Sequence, residues 1–336
     1  MSKLPRVVVT DYINDDLAPE RDVLDGVAEV VAADARTEEA LLPMIQDASG
    51  LIVYHFVNIT AASMDLMTDC KVISRAGVAI INIDLDAACE RGIPVTNVPD
   101  YGSEDVADSA VGMMLALTRG IHVLNSHYRP ADHGLDWTYR SVAPLQRLRG
   151  RVLGIIGMGR IGTAVALRAK AIGMDVLFYD PYVASGTEKA LGVRRAATLD
   201  QLLGEAFVVS VHSLLTDETK NMIDAAAIAK MQKGSYLINN ARGAIVDTSA
   251  IPDALASGQL AGAAIDVLSV EPPPEDDPLM RAWRDPDHPA HHNLIVNPHA
   301  AFYCEGSVLE LRTKSAESVR KALVGEALEN VMNGVG

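Results

Sequence analysis

The feature that most constrains the fold is a glycine motif placed between a strand and a helix. A short apolar run over 152–156 is followed by Gly157, Gly159 and Gly162 in the spacing G-x-G-x-x-G, and a segment of helical period comes next. In this setting the first glycine permits a tight turn, the second lets backbone N–H groups approach a phosphate, and the third allows close helix–strand packing. The motif predicts a parallel α/β domain with an anion cradle at the start of the helix.

Short β-rich apolar runs alternate with helical segments along the whole chain, whose 336 residues suffice for about two domains. Predicted strands occupy 6–10, 50–54, 71–74, 93–96, 151–156, 175–179, 207–212, 236–239, 262–267 and 293–296. Their Val, Ile and Leu content is typical of parallel strands buried on both faces. We therefore predict two parallel sheets, a long connecting helix over about 103–124, and a final helix over 305–325 that covers the first domain.

Composition and charge exclude several classes of protein. The chain has 29 Lys and Arg against 44 Asp and Glu, and its net charge of −15 repels nucleic acid and anionic lipid. No apolar run is long enough to span a membrane, and the start lacks the apolar core of a signal peptide. The three cysteines lie far apart, which favours a reducing cytoplasm. His288, His291 and His292 lie in a proline-rich loop without a further ligand, so no metal site is predicted.

Asp180 lies eighteen residues beyond Gly162, at the end of the next predicted strand. A carboxylate there can accept both hydroxyls of an adenosine ribose and would repel a 2′-phosphate. The alternative, a glycine-rich turn in a nucleotide-free sheet with Asp180 as a simple cap, is less favoured because the two features occur together. The pair predicts NAD as cofactor, with NADH preferred over NADPH.

Three polar residues, Arg242, Glu271 and His299, each follow a predicted strand of the second domain. Ligands bind at the carboxyl ends of parallel strands, so the three are expected to share one edge. A guanidinium suits a carboxylate, a histidine can move the proton that accompanies a hydride, and a carboxylate beside a histidine favours its protonated form. Taken singly, each has an alternative as a surface arginine, a solvated loop residue or a structural histidine. Together they predict a catalytic site.

The ordered motifs resemble those of the D-isomer-specific 2-hydroxyacid dehydrogenase family over nearly the whole chain. They are Gly157-x-Gly159-x-x-Gly162, Asp180, Ala241-Arg242-Gly243, Asp266-x-x-x-x-Glu271-Pro272 and Pro298-His299. The resemblance implies an α/β fold of two doubly wound parallel-sheet domains, in which a Rossmann NAD domain over 103–303 is inserted into a flavodoxin-like substrate domain over 1–102 and 304–336. It also implies a homodimer that interconverts a D-2-hydroxy acid and a 2-oxo acid.

Individual roles follow from the resemblance alone. Arg242 would bind and polarise the 2-oxo acid, His299 would protonate the new alkoxide, and Glu271 would pair with His299. Asp266 would meet the nicotinamide carboxamide. Besides Arg242 and His299, the other implied cofactor contacts are Val106, Arg160, Ile161, His212, Thr216 and Ala241. The other implied substrate contacts are Tyr54, Phe302 and a carboxylate-binding loop of Ala76, Gly77 and Val78.

Within the family the chain is most similar to members that resemble C-terminal-binding proteins, through 52–55, 177–182 and 299–303. Animal members of that group are corepressors with flanking tails that are missing here, so a metabolic enzyme is favoured. An NADH-sensing interaction protein with vestigial catalysis stays the alternative. The segment 53–57 lacks the arginine with which phosphoglycerate dehydrogenases hold phosphate, so a small or moderately apolar 2-oxo acid is expected.

Overall fold

The computed structural model describes residues 4–129, 137–142 and 144–335. The chain divides into two compact units, one formed by Met1–Tyr101 with Cys304–Gly336 and the other by Gly102–Tyr303. Residues 1–3, at the start considered above, and residues 130–136, 143 and 336 lie outside the described residues.

The first unit is built on a parallel sheet. Its strands in the described residues are β1 (Arg6–Val9), β2 (Glu29–Ala32), β3 (Ala48–Val53), β4 (Ile73–Arg75) and β5 (Val95–Asn97). Their order is β2-β1-β3-β4-β5, which is the flavodoxin-like order. Its helices are α1 (Ala18–Val23), α2 (Glu38–Ile45), α3 (Ala61–Leu66), α4 (Leu85–Glu90) and a C-terminal helix (Glu305–Val324).

Both faces of this sheet are buried, which explains its apolar strands. In β1, Val8 packs into the core on one face while Val7 and Val9 pack on the other, and all three are fully buried. The C-terminal helix covers the second face, where a Cβ added at Gly50 would lie 2.9 Å from Val319. The last helix thus packs on the sheet of the first unit.

The second unit begins with α5 (Ser103–Arg119) and α6 (Ile121–His127). Its strands in the described residues are β6 (Val152–Ile156), β7 (Asp175–Tyr179), β8 (Arg194–Arg195), β9 (Val208–Val211), β10 (Ser235–Asn239), β11 (Leu260–Ile265) and β12 (Leu294–Val296). The helices between them are α7 (Arg160–Ala171), α8 (Thr187–Leu191), α9 (Leu199–Glu205), α10 (Ala225–Lys230), α11 (Ile251–Ala256), α12 (Pro278–Arg284) and α13 (Ala290–Asn293). All strands are parallel, in the order β12-β11-β10-β9-β6-β7-β8, which is the Rossmann order with one added strand.

Three differences from the sequence-based prediction have physical causes. The long connecting helix divides at Gly120, which adopts φ 61°, and a Cβ there would lie 2.7 Å from Val142. The strands β2 and β8 were not predicted. Both lie at sheet edges, and neither carries a long apolar run because an edge strand is only partly covered.

Candidate active site

The glycine motif forms a tight turn between β6 and α7. Gly157 has φ 91°, and a Cβ on it would lie 2.6 Å from the backbone nitrogen of Ser213. A Cβ on Gly162 would lie 2.0 Å from the carbonyl oxygen of Gly157, so the helix packs directly on the turn. A Cβ on Gly159, by contrast, would meet nothing within 4 Å. No side chain caps the start of α7, where Arg160 and Ile161 lie, so this turn can bring backbone N–H groups to an anion.

Asp180 is tied to the glycine turn. Its Oδ2 accepts a hydrogen bond of 2.8 Å from Met158 N, and its Oδ1 accepts one of 2.9 Å from Tyr182 N. The carboxylate therefore sits at the carboxyl end of β7, beside the turn that follows β6. Each oxygen keeps acceptor capacity for a further donor such as a ribose hydroxyl.

His212 and Ser213 follow β9 and face the same turn. The Nε2 atom of His212 lies 2.8 Å from Ser210 Oγ, whereas His212 Nδ1 and Ser213 Oγ are shielded and have no hydrogen-bond partner in the described part of the chain. Burial lowers the pKa of His212 to about 4, so its ring is neutral at physiological pH. Such unpaired polar atoms are costly unless a ligand or water supplies a partner.

One contact at the carboxyl edge of this sheet, between Tyr182 and Glu218, was not predicted from the sequence. The Tyr182 hydroxyl donates a hydrogen bond to Glu218, which joins the loop after β7 to the loop after β9, on either side of β6. The hydrogen bond to Glu218 and its charge raise the pKa of Tyr182. The predicted cofactor residue Thr216 lies in the same loop, where its side chain is engaged with Thr219.

Glu271 and His299 form a close pair. His299 Nδ1 lies 2.7 Å from Glu271 Oε2, and Glu271 Oε1 accepts a hydrogen bond of 2.7 Å from Leu268 N. Burial opposes ionisation of Glu271, but the hydrogen bonds from His299 and Leu268 outweigh it and hold the pKa of the carboxyl below its usual value. The pairing leaves His299 Nε2 as the ring nitrogen that can exchange a proton with a ligand.

His299 is held in an unusual backbone conformation by Asp266. Its φ is 54°, and its N–H donates to the Asp266 carbonyl oxygen at 2.7 Å. The buried Asp266 carboxylate accepts further hydrogen bonds of 3.0 Å from Ala300 N and 3.1 Å from Ala301 N. Burial raises the pKa of Asp266 against the effect of these donors. The side chain that was predicted to meet the cofactor therefore anchors the loop that carries the histidine.

Arg242 follows β10, the neighbour of β11 in the sheet. Asn239 Nδ2 donates to the Arg242 carbonyl at 3.0 Å, and Asn239 Oδ1 accepts from Ala241 N at 3.1 Å, so the turn is fixed by one side chain. A Cβ on Gly243 would lie 2.0 Å from the backbone of Leu268, which brings this turn against the loop that holds Glu271. The charge of Arg242 contributes to lowering the pKa of Glu271.

The second unit thus brings together Arg242, Glu271 and His299 at the carboxyl ends of β10, β11 and β12. Phe302 lies nearby, with its ring 6.4 Å from that of His299 in an edge arrangement. Two other predicted cofactor residues have buried side chains: Val106 lies on α5, and Ala241 packs into the core below the sheet edge.

The predicted substrate residues of the first unit surround the end of β4. Gly77 has φ 146°, Val98 N donates to its carbonyl at 3.1 Å, and Asn97 Nδ2 donates to the Val78 carbonyl at 2.6 Å. The side chains of Tyr54 and Ala76 are buried in the core. Gly77 is buried as well, whereas Val78 is partly exposed and is the residue of this loop within reach of a ligand.

Several residues of this region were not found from the sequence. The Asp11 carboxylate accepts hydrogen bonds from the backbone N–H groups of Tyr54 and Phe56, and the Tyr12 ring stacks on Tyr54 at 5.6 Å. The buried Arg75 reaches His55 Nδ1 at 3.2 Å. A signal existed, because the Asp-Tyr pair directly follows the first strand, at the same sheet edge as the segment after the third.

Neither a cluster of metal ligands nor a membrane-spanning helix occurs in the described residues. No group of three or more His, Cys, Asp or Glu in the described residues could hold a metal ion. His288 and His291 each engage a ring nitrogen with the backbone. Among the residues that the structure describes, no helix has both the length and the apolar character needed to cross a bilayer.

The chain is similar in sequence and in fold to known proteins. Residues 111–301 match the model of the D-isomer specific 2-hydroxyacid dehydrogenase NAD binding domain. The chain is 36% identical over 328 residues to D-3-phosphoglycerate dehydrogenase of Methanocaldococcus jannaschii, covering 98% of this chain and 59% of the relative. It is 34% identical over 335 residues to C-terminal-binding protein 1 of Caenorhabditis elegans, covering 98% and 45%. It thus spans about half the length of these curated relatives.

A solved structure, that of the TT0316 protein from Thermus thermophilus, superposes with a TM-score of 0.85 at 33% identity, covering 97% of this chain and 99% of that one. The chain therefore belongs to the D-isomer-specific 2-hydroxyacid dehydrogenase family, as the sequence motifs predicted. The predicted fold of two parallel-sheet α/β domains is confirmed.

Proposed function

We propose that the chain is an NAD-dependent D-2-hydroxyacid dehydrogenase, of class EC 1.1.1, that interconverts a D-2-hydroxy acid and a 2-oxo acid. The observation that carries this proposal is the convergence of Arg242 with the Glu271–His299 pair at adjacent strand ends. These groups lie in the unit that matches an NAD-binding family domain. A cation, an oriented acid/base and a dinucleotide cradle are what hydride transfer to a 2-oxo acid requires.

NAD, when bound, supplies the hydride for reduction and accepts it in the reverse direction. In reduction, the protonated His299 would donate its Nε2 proton to the oxygen of the substrate's 2-oxo group, while the carbon of that group receives the hydride. The N–H bond breaks, the O–H bond of the hydroxy acid forms, and the ring is left neutral. Glu271 stabilises the protonated ring through Nδ1, and it stays ionised because its pKa is lowered. Arg242 binds the carboxylate and polarises the carbonyl with its planar fork.

In this proposal the glycine turn and Asp180 form the binding site for the dinucleotide. The open space beside Gly159 and the uncapped start of α7 fit a pyrophosphate. Asp180 would accept the ribose hydroxyls of NAD and would repel a 2′-phosphate, so we propose that NADH is preferred over NADPH. His212 and Ser213 offer polar atoms that lack a partner within the described residues. The family pattern also implies cofactor contacts at Val106, Arg160, Ile161, Thr216, Ala241 and Asp266.

We further propose a small or moderately apolar, unphosphorylated 2-oxo acid as substrate. The segment 53–57 offers aromatic and weakly basic side chains and no arginine, which disfavours a phosphate group on the substrate. The backbone of residues 76–78 would bind the substrate carboxylate, as in the family pattern. Phe302, beside His299, would contact the side chain of the substrate.

The first test is NADH oxidation, followed by its absorbance, with glyoxylate, hydroxypyruvate, pyruvate, phenylpyruvate and 3-phosphohydroxypyruvate. We expect turnover with at least one unphosphorylated acid and a preference for NADH over NADPH. Preference for the phosphorylated acid would reject the substrate proposal and leave the enzyme class intact. If NADH binds but none of the five acids is turned over, the proposed dehydrogenase activity on acids of this kind would be rejected.

Two variants test the assigned roles. Arg242→Ala should nearly abolish turnover, since catalytic electrostatics of this kind contributes several kcal/mol. His299→Asn should lower kcat about a hundredfold or more while NADH binding stays, because general acid–base catalysis is worth that much. Full activity of Arg242→Ala would refute the role assigned to Arg242. If His299→Asn lost NADH affinity as strongly as kcat, His299 would have a structural role instead.

The similarity to C-terminal-binding protein 1 supports a second candidate, an NADH-sensing interaction protein with weak catalysis. For the enzyme we propose a homodimer, as the family resemblance implies, and a cytoplasmic location, which the three separated cysteines favour. Gel filtration with and without NADH separates the two: a dimer in both conditions favours the enzyme, and assembly driven by NADH favours the sensor.

A further inference from the structure

Arg195 binds the loop that follows β7. It lies on the two-residue strand β8, at the edge of the sheet beside β7. Its Nη1 donates hydrogen bonds to the carbonyl oxygens of Asp180 at 3.4 Å and of Val183 at 3.2 Å. Its Nη2 donates a third, of 2.7 Å, to the carbonyl oxygen of Ala184. Three carbonyl groups of one loop therefore converge on a single guanidinium.

Two further contacts fix the plane of this guanidinium. Its Nε donates a hydrogen bond of 3.2 Å to Glu188, on α8. Its central carbon lies 4.8 Å from the centroid of the ring of Phe178, a fully buried residue of β7. Arginine suits this place because its planar group carries five N–H donors and also stacks on an aromatic face. Arg195 thus joins β7, α8 and the loop between them.

The loop held by Arg195 begins with the proposed ribose-binding residue. The guanidinium binds the main-chain carbonyl of Asp180, while Asp180 Oδ2 accepts the 2.8 Å hydrogen bond from Met158 N at the glycine turn. Asp180 Oδ1 accepts a hydrogen bond from Tyr182 N, within the same loop. The main chain and the side chain of Asp180 are therefore fixed by different parts of the domain, and the direction of the carboxylate depends on both.

Arg194, the other residue of β8, binds elsewhere. Its Nη1 donates a hydrogen bond of 2.7 Å to Glu205 at the end of α9, and its side chain is 51% exposed. Successive side chains of a strand point to opposite faces of the sheet, which explains the difference. The two arginines carry the same charge at adjacent positions, so a comparison between them separates the contacts of Arg195 from its charge.

We propose that Arg195 is a positioning residue for the adenosine half of NAD: it holds the loop 180–184 in the arrangement in which Asp180 can accept the ribose hydroxyls. The inference rests on the proposed function, in which Asp180 makes that contact. A loop that is ordered before the cofactor arrives needs no ordering on binding, so the affinity is higher. Arg195 binds carbonyl oxygens and Glu188, and it therefore acts on the cofactor through the loop.

The test is isothermal titration calorimetry of the full chain with NADH and with ADP-ribose, which has the adenosine and both phosphates but no nicotinamide. Arg195→Gln should weaken the binding of both ligands about tenfold, which corresponds to a loop that adopts the competent arrangement about a tenth of the time. In the reductase assay, the KM for NADH should rise while kcat at saturating NADH stays unchanged. Arg195 contacts none of the proposed catalytic residues in the described part of the chain.

Three more variants separate the contacts of Arg195 from its charge. Arg194→Gln removes the same charge from the adjacent residue and should bind both ligands like the original chain. Arg195→Lys keeps the charge but replaces the planar fork by one ammonium, so it should still weaken binding about threefold or more. The double variant Asp180→Ser/Arg195→Gln should bind at most about threefold more weakly than Asp180→Ser alone, because the group that Arg195 positions is then absent.

Several results would overturn the inference. Unchanged binding in Arg195→Gln, or full binding in Arg195→Lys, would show that the contacts of the guanidinium are not needed. An equal loss in Arg194→Gln would assign the effect to charge, and a loss for NADH but not for ADP-ribose would assign it to the nicotinamide half. A tenfold loss in the Asp180→Ser background would show that Arg195 does not act through Asp180.

Failure of the proposed function would look different. If the original chain bound neither NADH nor ADP-ribose, the proposed cofactor site would be rejected and this inference with it. Binding by the original chain that is unchanged in Arg195→Gln would reject this inference alone. If Arg195→Gln fails to fold, as judged by circular dichroism, Arg195→Lys takes its place with the same expected direction.

Discussion

The pair of Glu271 and His299 gives the sharpest prediction about the proposed chemistry. Replacing Glu271 by glutamine keeps the size of the side chain and an oxygen that can accept the 2.7 Å hydrogen bond from Leu268 N. It removes the negative charge that lies 2.7 Å from His299 Nδ1. The change therefore isolates the charge from the loop geometry. Because that charge stabilises the protonated ring, the variant should lose activity in the direction that needs a protonated histidine.

The size of the effect follows from the hydrogen bond and its exposure. A hydrogen bond between charged groups contributes about 1.5–3 kcal/mol. The two side chains are 38% and 37% exposed, and solvent screening reduces the contribution to about 1–1.5 kcal/mol. At ~1.4 kcal/mol per factor of ten, kcat for reduction should fall about five- to tenfold near neutral pH.

The assay is the pH dependence of kcat and of kcat/KM for NADH-driven reduction, measured for the original chain and the variant. Glu275→Gln is the matched control, an exposed glutamate of the same loop, and should leave both profiles unchanged. A Glu271→Gln profile identical to the original, with His299→Asn inactive, would refute the reasoning and reduce Glu271 to a loop cap. The lowered pKa of Glu271 adds a stability check: its charge stabilises the fold above the usual glutamate range, and this contribution is lost as the pH falls through the lowered pKa.

Three further predictions test the structure more widely. Gly162→Ala should lower the free energy of unfolding by about 1–3 kcal/mol and weaken NADH binding, because its Cβ would lie 2.0 Å from a carbonyl oxygen. Gly204→Ala, with nothing within 4 Å, should be up to about 1 kcal/mol more stable in the same urea titration, and equal losses in the two variants would contradict the packing argument. Arg312→Leu should cost about 3–5 kcal/mol in urea denaturation, because it leaves the fully buried Glu20 carboxylate unpaired, and adding Glu20→Gln should recover part of this loss. Asp180→Ser should narrow the ratio of kcat/KM values for NADH and NADPH, and an unchanged ratio would show that Asp180 only holds the glycine turn.

The fold could be predicted from the sequence where burial is complete. The predicted strand over 175–179 coincides with β7, which lies between two other strands and is covered on both faces. The two-residue β8 carries only arginines, and its place beside β7 depends on hydrogen bonds that composition does not encode. The helix break at Gly120 depends on Val142, which lies more than twenty residues further along the chain. Long-range contacts of this kind leave no local pattern.

The candidate site follows the same division. Arg242, Glu271 and His299 were identifiable because each follows a strand, and a parallel sheet collects such positions at one edge. The hydrogen bonds from Ala300 and Ala301 to Asp266 join residues more than thirty positions apart, so no spacing rule predicts them. The hydrogen bonds from the Tyr54 and Phe56 N–H groups to Asp11 join residues that lie even further apart in the sequence.

The conformation of His299 connects the fold to the proposed chemistry. A residue other than glycine at φ 54° carries a cost of about 1–3 kcal/mol, which must be offset by the surrounding structure. Asp266 provides that compensation, because its carbonyl and its carboxylate together accept hydrogen bonds from three consecutive N–H groups beginning at His299. An ordinary extended conformation would break this set and turn the ring away from Glu271. The buried aspartate therefore acts as a positioning residue: it fixes the turn, the turn orients the imidazole, and Glu271 then selects the ring nitrogen that is left for the substrate.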